Sequence, residues 1–130
     1  MNLDEFVHAY AVCALWSSCG PSEDPYKCEN LDDIFDVSDI APETMAKMRE
    51  DCKDFIEANA ADLELYDEQM DSEQWSGSER AGHDFWLVRN SHGAGFWDRG
   101  LGDLGVRLSN AAMSYGEVFL YPGDDGKVYS

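Results

Sequence analysis

The sequence predicts an α+β fold in which N-terminal helices pack on a small, mainly antiparallel β-sheet. Three observations carry that expectation. Apolar residues recur at helical spacing over 3–18 and again over 38–66. The last fifty residues change period, and "DFWLVRN", "GFWDRG" and "EVFLYPGDDGKVYS" read as extended segments broken by turns. Finally, 130 residues that are 44% hydrophobic suit one domain, residues 1–130, with one modest core.

The first helix is "LDEFVHAYAVCALWSS", with Phe6, Tyr10, Cys13 and Leu15 or Trp16 on its apolar side; Gly20 and Pro21 stop it. "GPSEDPYKCENLDDIFDVSD" holds two prolines and seven acids and predicts an exposed connector, pinned by Tyr26, Leu31, Ile34 and Phe35. The second helix is "SDIAPETMAKMREDCKDFIEANAADLELY", with Asp39 as its cap, Pro42 in the first turn and Glu43 close behind. Met45, Met48, Cys52, Phe55, Ile56, Asn59 and Leu63 form its inner stripe, all apolar but Asn59. Glu50, Asp54 and Glu57 form another stripe, with Asp51 beside them. Residues 67–82 predict a second acidic connector, with Trp75 as its only large anchor. "LGDLGVRLSNAAMSYG" predicts a short helix facing Leu101, Leu104, Leu108 and Met113 inward. The chain closes in a hairpin whose turn holds Pro122, Gly123 and Gly126.

The most distinctive stretch is "GHDFWLVRNSHGAGFWDRG", residues 82–100. Two strands joined around "SHGAG" would bring His83 near His92, with Asp84, Asp98, Arg89 and Arg99 close by, so acid–base or two-histidine metal chemistry is conceivable. A histidine–asparagine–histidine nuclease fails on spacing, because that site needs a longer hairpin and a final histidine on a following helix. No nucleophile elbow, phosphate loop or HExxH is present. The scaffold reading asks for less. Gly93 and Gly95 permit a tight reversal, Phe85, Trp86, Phe96 and Trp97 supply core area, and Arg89 and Arg99 satisfy nearby carboxylates, such as Asp84 and Asp98, or carbonyls. No catalytic residue is therefore expected.

Charge is the strongest global property. Twenty-seven acids against nine Lys and Arg give a net −18. Residues 1–80, the acidic and mainly helical half, carry 21 acids and five bases, a net −16. Residues 81–130, read as hairpin, helix and hairpin, carry six and four, a net −2. Such a field repels nucleic acid and anionic membrane and attracts basic protein surfaces. "PGDDGK" is too short for a calcium loop, and the run Asp32, Asp33, Asp36, Asp39 lacks the glycine of an EF-hand loop, so no metal or other cofactor is expected. Cys13, Cys19, Cys28 and Cys52 form no CxxC pair and read as reduced, partly buried thiols; a metal site using Cys19 and Cys28 is the minor alternative. The acidic start "MNLDEFVHAY" does not read as a secretory signal.

"CALWSS", "DIAPETMAKMREDC" with "NAADL", the 82–100 segment and "YGEVFLYPGDDGKVY" together resemble a family of small acidic proteins encoded by tailed bacteriophages and prophages. The resemblance covers most of the chain apart from 20–37 and 64–80, and it implies expression in the host cytoplasm but brings no catalytic assignment. With the anionic surface, it leads to the expectation of an inhibitor of a host defence protein, of the anti-CRISPR or anti-restriction kind. Carboxylates would occupy a basic groove that otherwise grips nucleic acid. The contact residues expected are Glu50, Asp51, Asp54 and Glu57 on the long helix, then Asp32, Asp33 and Asp36 on the connector. The alternative is a small accessory or adaptor protein docking on a partner through the aromatic hairpin, at Trp86 and Trp97. Neither reading includes an enzyme, and neither fixes the oligomeric state.

Overall fold

The computed structural model describes residues 1–20 and 29–130. Among them are five α-helices: α1 (Leu3–Ser17), α2 (Pro42–Ala58), α3 (Ala60–Met70), α4 (Gly77–Arg89) and α5 (Asp103–Met113). The strands are short: β1 (Cys19–Gly20) pairs antiparallel with β2 (Glu29–Asn30), and β3 (Tyr121–Pro122) pairs antiparallel with β4 (Val128–Tyr129). Three single turns of 3-10 helix, Leu31–Asp33, Val37–Asp39 and Phe96–Asp98, link them. The protein is thus mostly helical, and the helices bury their apolar faces against one another rather than on a sheet.

The largest departure from the sequence reading falls on the 82–100 segment. "DFWLVR" is not a strand but the second half of α4. Ser76 caps that helix by accepting from the Glu79 amide at 3.0 Å, and Glu79 reciprocates on the Ser76 amide at 3.4 Å. Ten of its thirteen residues are buried, so no polar stripe is left to reveal its period. "GFWDRG" is likewise no strand; it holds the 3-10 turn Phe96–Asp98. The tight reversal at 91–95 does occur, with Gly93 at φ 75° and Gly95 at φ 125°. At Gly95 a Cβ would also come within 2.5 Å of Val88 Cγ2, so both conformation and space exclude a side chain there.

The helix expected over 38–66 is two helices, parted at Asn59 (φ −122°, ψ 28°), whose side chain donates to the Phe55 carbonyl. Ala41, not Asp39, is the N-cap of α2, with Pro42 in the first turn as expected. Asp39 instead completes a capping box with Asp36 around the preceding 3-10 turn. The stretch 67–82 is a connector only over 71–76, since α3 runs to Met70 and α4 begins at Gly77. Trp75 is no anchor there: it is 46% exposed. In α5, Leu104 and Leu108 face the core as expected, but Met113 is exposed. Leu31 is buried and Ile34 exposed; Tyr26 lies outside the described residues.

One core joins all five helices. At its centre Phe55 stacks on Phe85 with ring centroids 4.2 Å apart and planes 13° from parallel. Phe6, Tyr10, Phe96 and Tyr115 surround that pair. Tyr10 meets Trp86 edge to face at 5.2 Å, and the Trp86 indole donates to Ser17 Oγ at 2.6 Å. The C-terminal hairpin is held to the start of α2, where the Ala41 amide donates to the Val128 carbonyl at 2.9 Å.

Helices α1 and α4 approach so closely that a Cβ at Gly82 would overlap the Phe6 carbonyl. Gly82→Ala is expected to force these helices apart, at a cost of roughly 1–3 kcal/mol. The urea midpoint measures it, and an unchanged midpoint would mean that the two backbones do not meet at this position.

Candidate functional site

The seven acids expected to contact a partner differ in exposure and in the bonds they already make. Glu50 and Glu57 on α2 are exposed, and among the described residues neither side chain makes a hydrogen bond. Asp54 is exposed but accepts from the Tyr115 hydroxyl at 2.5 Å. Asp51 is withdrawn from solvent by Arg89, whose Nη1 lies 2.8 Å from its Oδ2. It neutralises a buried cation while keeping 29% of its side chain exposed, so part of its charge is already committed within the fold. Asp32 and Asp33 are exposed on their 3-10 turn. Asp36 is exposed too, but its carboxylate caps Val37–Asp39 through the Ser38 amide at 2.8 Å and the Ser38 hydroxyl. Those bonds hold the Asp36 carboxyl below the usual range.

The exposed face of α2 is also less anionic than its acid stripe suggests, because Lys47, Arg49 and Lys53 are exposed among the acids. The purest anionic stretch begins where α2 ends. Residues 57–73 contain seven acids and no Lys or Arg. Within it, Asp62 binds Arg107 through both Nε and Nη2, and the Asp71 carboxylate accepts from the Gly77 amide at the start of α4. Glu57, Glu64, Glu68 and Glu73 remain exposed. Reading 67–82 as a connector hid this helical presentation. The capping box "SGSE" at 76–79 was the signal that would have ended the connector earlier.

The 82–100 segment supplies a second cluster. Asp84 is fully buried, yet ionised. Arg99 grips it with Nη2 at 2.7 Å and Nε at 3.2 Å, and the Tyr66 hydroxyl donates at 2.6 Å. His83 Nδ1 stands 3.5 Å away, at the limit of a hydrogen bond. Burial pushes the Asp84 carboxyl upward, but the bonds from His83, Arg99 and Tyr66 outweigh it and hold the pKa below the ordinary value. Burial and the Asp84 carboxylate, in turn, push the Tyr66 hydroxyl up. Of the two carboxylates expected to satisfy arginines, Asp84 does so for Arg99. Asp98 instead accepts from the Gly95 amide at 3.0 Å, and Arg89 turns to Asp51. Trp86 is buried, so of the two tryptophans named for an adaptor contact only Trp97, 43% exposed, can reach a partner.

Cys13 and Cys52 are free and buried. Burial pushes the Cys13 thiol up to about 12 and raises Cys52 as well, so neither supplies a thiolate at neutral pH. Cys19 is disulfide-bonded, which corrects the expectation of four reduced thiols; Cys28 lies outside the described residues. Among the described residues no group of three or more His, Cys, Asp or Glu is placed to hold a metal ion, and no helix is long and apolar enough to cross a membrane.

No protein-family model, no curated protein and no solved structure matches this chain.

Two expectations follow. Asp51→Asn leaves the Arg89 charge buried without its carboxylate and is expected to cost about 3 kcal/mol, while Glu50→Gln one residue earlier shifts stability by less than about 0.5 kcal/mol. Urea melts of the two variants at neutral pH separate these outcomes. Because the folded pKa of Asp84 is depressed, its contribution is complete above the unfolded value near ~4 and is lost as pH falls through the folded value. Asp84→Asn should therefore be destabilised at pH 7 and show a shallower fall of its midpoint below pH 4 than the parent protein.

Proposed function

We propose that this protein is a non-enzymatic inhibitor whose acidic surface occupies the basic groove of a nucleic-acid-binding protein. The observation that supports this most is the 57–73 stretch, seven acids without a Lys or Arg among them, held on the end of α2, on α3 and on the turn that follows it. Carboxylates four residues apart on a helix, such as Glu64 and Glu68, rise about 6 Å along its axis. One nucleic-acid strand carries a phosphate per about 3.4 Å of duplex axis, so a single helical stripe offers roughly half the charge density of a strand. Asp54 and Glu57 near the end of α2 add further exposed carboxylates. Glu50, Asp32 and Asp33 contribute to the same field from a distance.

The phage context implied by the sequence resemblance fits this reading. It suggests a host defence protein, of the CRISPR or restriction kind, as the partner and the host cytoplasm as the place. Competition would be electrostatic and steric, with fast, salt-sensitive association and no direct contact with nucleic acid or membrane. The adaptor reading keeps one supporting observation, the exposure of Trp97.

Pull-down from bacterial lysate with a salt-gradient elution tests the proposal. A nucleic-acid-binding partner should elute early in the gradient and be displaced by added duplex DNA or RNA. The variant with Gln at positions 57, 64, 68 and 73 should keep its melting temperature within a few degrees and release that partner at still lower salt. A partner indifferent to salt, to nucleic acid and to this variant would overturn mimicry in favour of the adaptor.

A further inference from the structure

Two adjoining cavities open beside α1 and α4, and they share Trp75 and His83 as lining residues. The larger, of about 320 Å³, is walled mainly by Val12, Ala9, Cys13 and Trp16. Trp16 and Trp75 are both about half exposed, at 52% and 46%, and the Trp16 ring stacks at 6.5 Å on His83. The smaller, of about 220 Å³, is completed by Arg80 and Arg99. An apolar slot with aromatic walls therefore ends at two guanidinium groups.

Arg80 is the anomaly. The chain has five arginines. Arg49, Arg89, Arg99 and Arg107 are each paired with an aspartate. Arg80 has no ion pair among the described residues, although acids outnumber Lys and Arg three to one. Its Nε is buried and without a hydrogen-bond partner. A buried, unsatisfied donor on a cation is costly unless something accepts from it. Arg99, beside it, is fixed in orientation by its two bonds to Asp84, which use Nε and Nη2 and leave Nη1 free. Carboxylates around the paired cavity already have donors: Asp84 holds Arg99, Tyr66 and His83, and Glu79, on the wall of the larger cavity, caps Ser76.

We infer that this paired cavity is a binding site for a small aromatic carboxylate. The flat ring would lie between Trp16 and Trp75 over Val12, and the carboxylate would meet Arg80 Nε and the free nitrogen of Arg99. Together the two volumes match those of small-molecule sites, and an apolar pocket with a few convergent polar groups is the usual form of such a site. The acids on α3 act on an incoming anion only through solvent, where charges beyond about 8 Å are largely screened at physiological ionic strength. The two guanidiniums in the wall act at contact. Binding here needs no partner on the α3 surface.

The test is a titration of the ¹⁵N-labelled protein with indole-3-propionate, read at the four tryptophan indole N–H signals. Tryptamine, with the same ring and a positive charge, and propionate, with no ring, serve as comparisons. Saturable shifts at Trp16 and Trp75, with Trp86 and Trp97 unmoved, are expected, and tryptamine and propionate should each bind at least tenfold more weakly. Arg80→Gln should weaken indole-3-propionate tenfold or more. Should that variant fail to fold, Trp75→Ala, at an exposed position, should produce a comparable loss. Shifts that do not saturate, equal binding of tryptamine, or undiminished affinity in whichever of these variants folds would each overturn the assignment.

Discussion

The structure turns on one buried cation. Arg89, the last residue of α4, is only 4% exposed, and its guanidinium donates in four directions. Nε reaches the Gly116 carbonyl, Nη2 the Tyr115 carbonyl, and Nη1 both the Tyr10 hydroxyl and Asp51. Its charged carbon also sits 5.5 Å from the Phe85 ring centre and 5.7 Å from that of Tyr115. One side chain thereby ties α4 to α1, to α2 and to the turn that follows α5. Burial works against the charge, but Tyr10 and Asp51 outweigh it and keep Arg89 protonated. A lysine could carry the charge, yet it lacks the planar fork that meets two carbonyls, a phenol and a carboxylate together.

That arrangement explains how the protein distributes its acids. Some are structural: Asp51 and Asp84 neutralise arginines in or beside the core, Asp36 and Asp71 satisfy amides at the starts of helical turns, and Asp62 and Asp4 hold Arg107 and Arg49 at the surface. Among the acids whose side chains are exposed and make no hydrogen bond, Glu57, Glu64, Glu68 and Glu73 fall on and around α3. Sequence alone weights every carboxylate equally. The fold separates those that stabilise it from those left in solvent.

Legibility in the sequence followed the same division. The first helix was readable from Phe6, Tyr10 and Cys13 at helical spacing, α5 from its one-sided apolar pattern, and the C-terminal hairpin from its glycines, although Pro122 lies in β3 rather than in the turn. α4 was not. A helix buried on nearly every side loses its polar stripe, and its run Phe85, Trp86, Leu87, Val88 is as good a strand signal as a helix signal. Gly82 deepened the ambiguity, since a mid-helix glycine usually argues against a helix. Here it marks the contact with the Phe6 carbonyl, which only the folded chain reveals. The ion pair of Asp51 was hidden for a related reason. Its partner Arg89 is 38 residues away, and nothing local marks it as paired. Asp54, Glu57 and Glu50 were placed correctly on the surface because helical periodicity alone decides that.

The pairing of α1 with α4 also shapes how the chain comes into being. The bonds that join them span 76, 69 and 79 residues: Asn2 to Ser78, Ser17 to Trp86, and Tyr10 to Arg89. On a ribosome adding about 5–20 residues per second, α1 would wait roughly 4–15 s for its principal partner to be made. Throughout that interval Phe6 and Tyr10 lack the Phe85 and Trp86 rings of α4 that cover them in the finished fold. The acids that crowd residues 1–80 would meanwhile keep neighbouring nascent chains apart by charge repulsion, a protection the finished fold no longer needs.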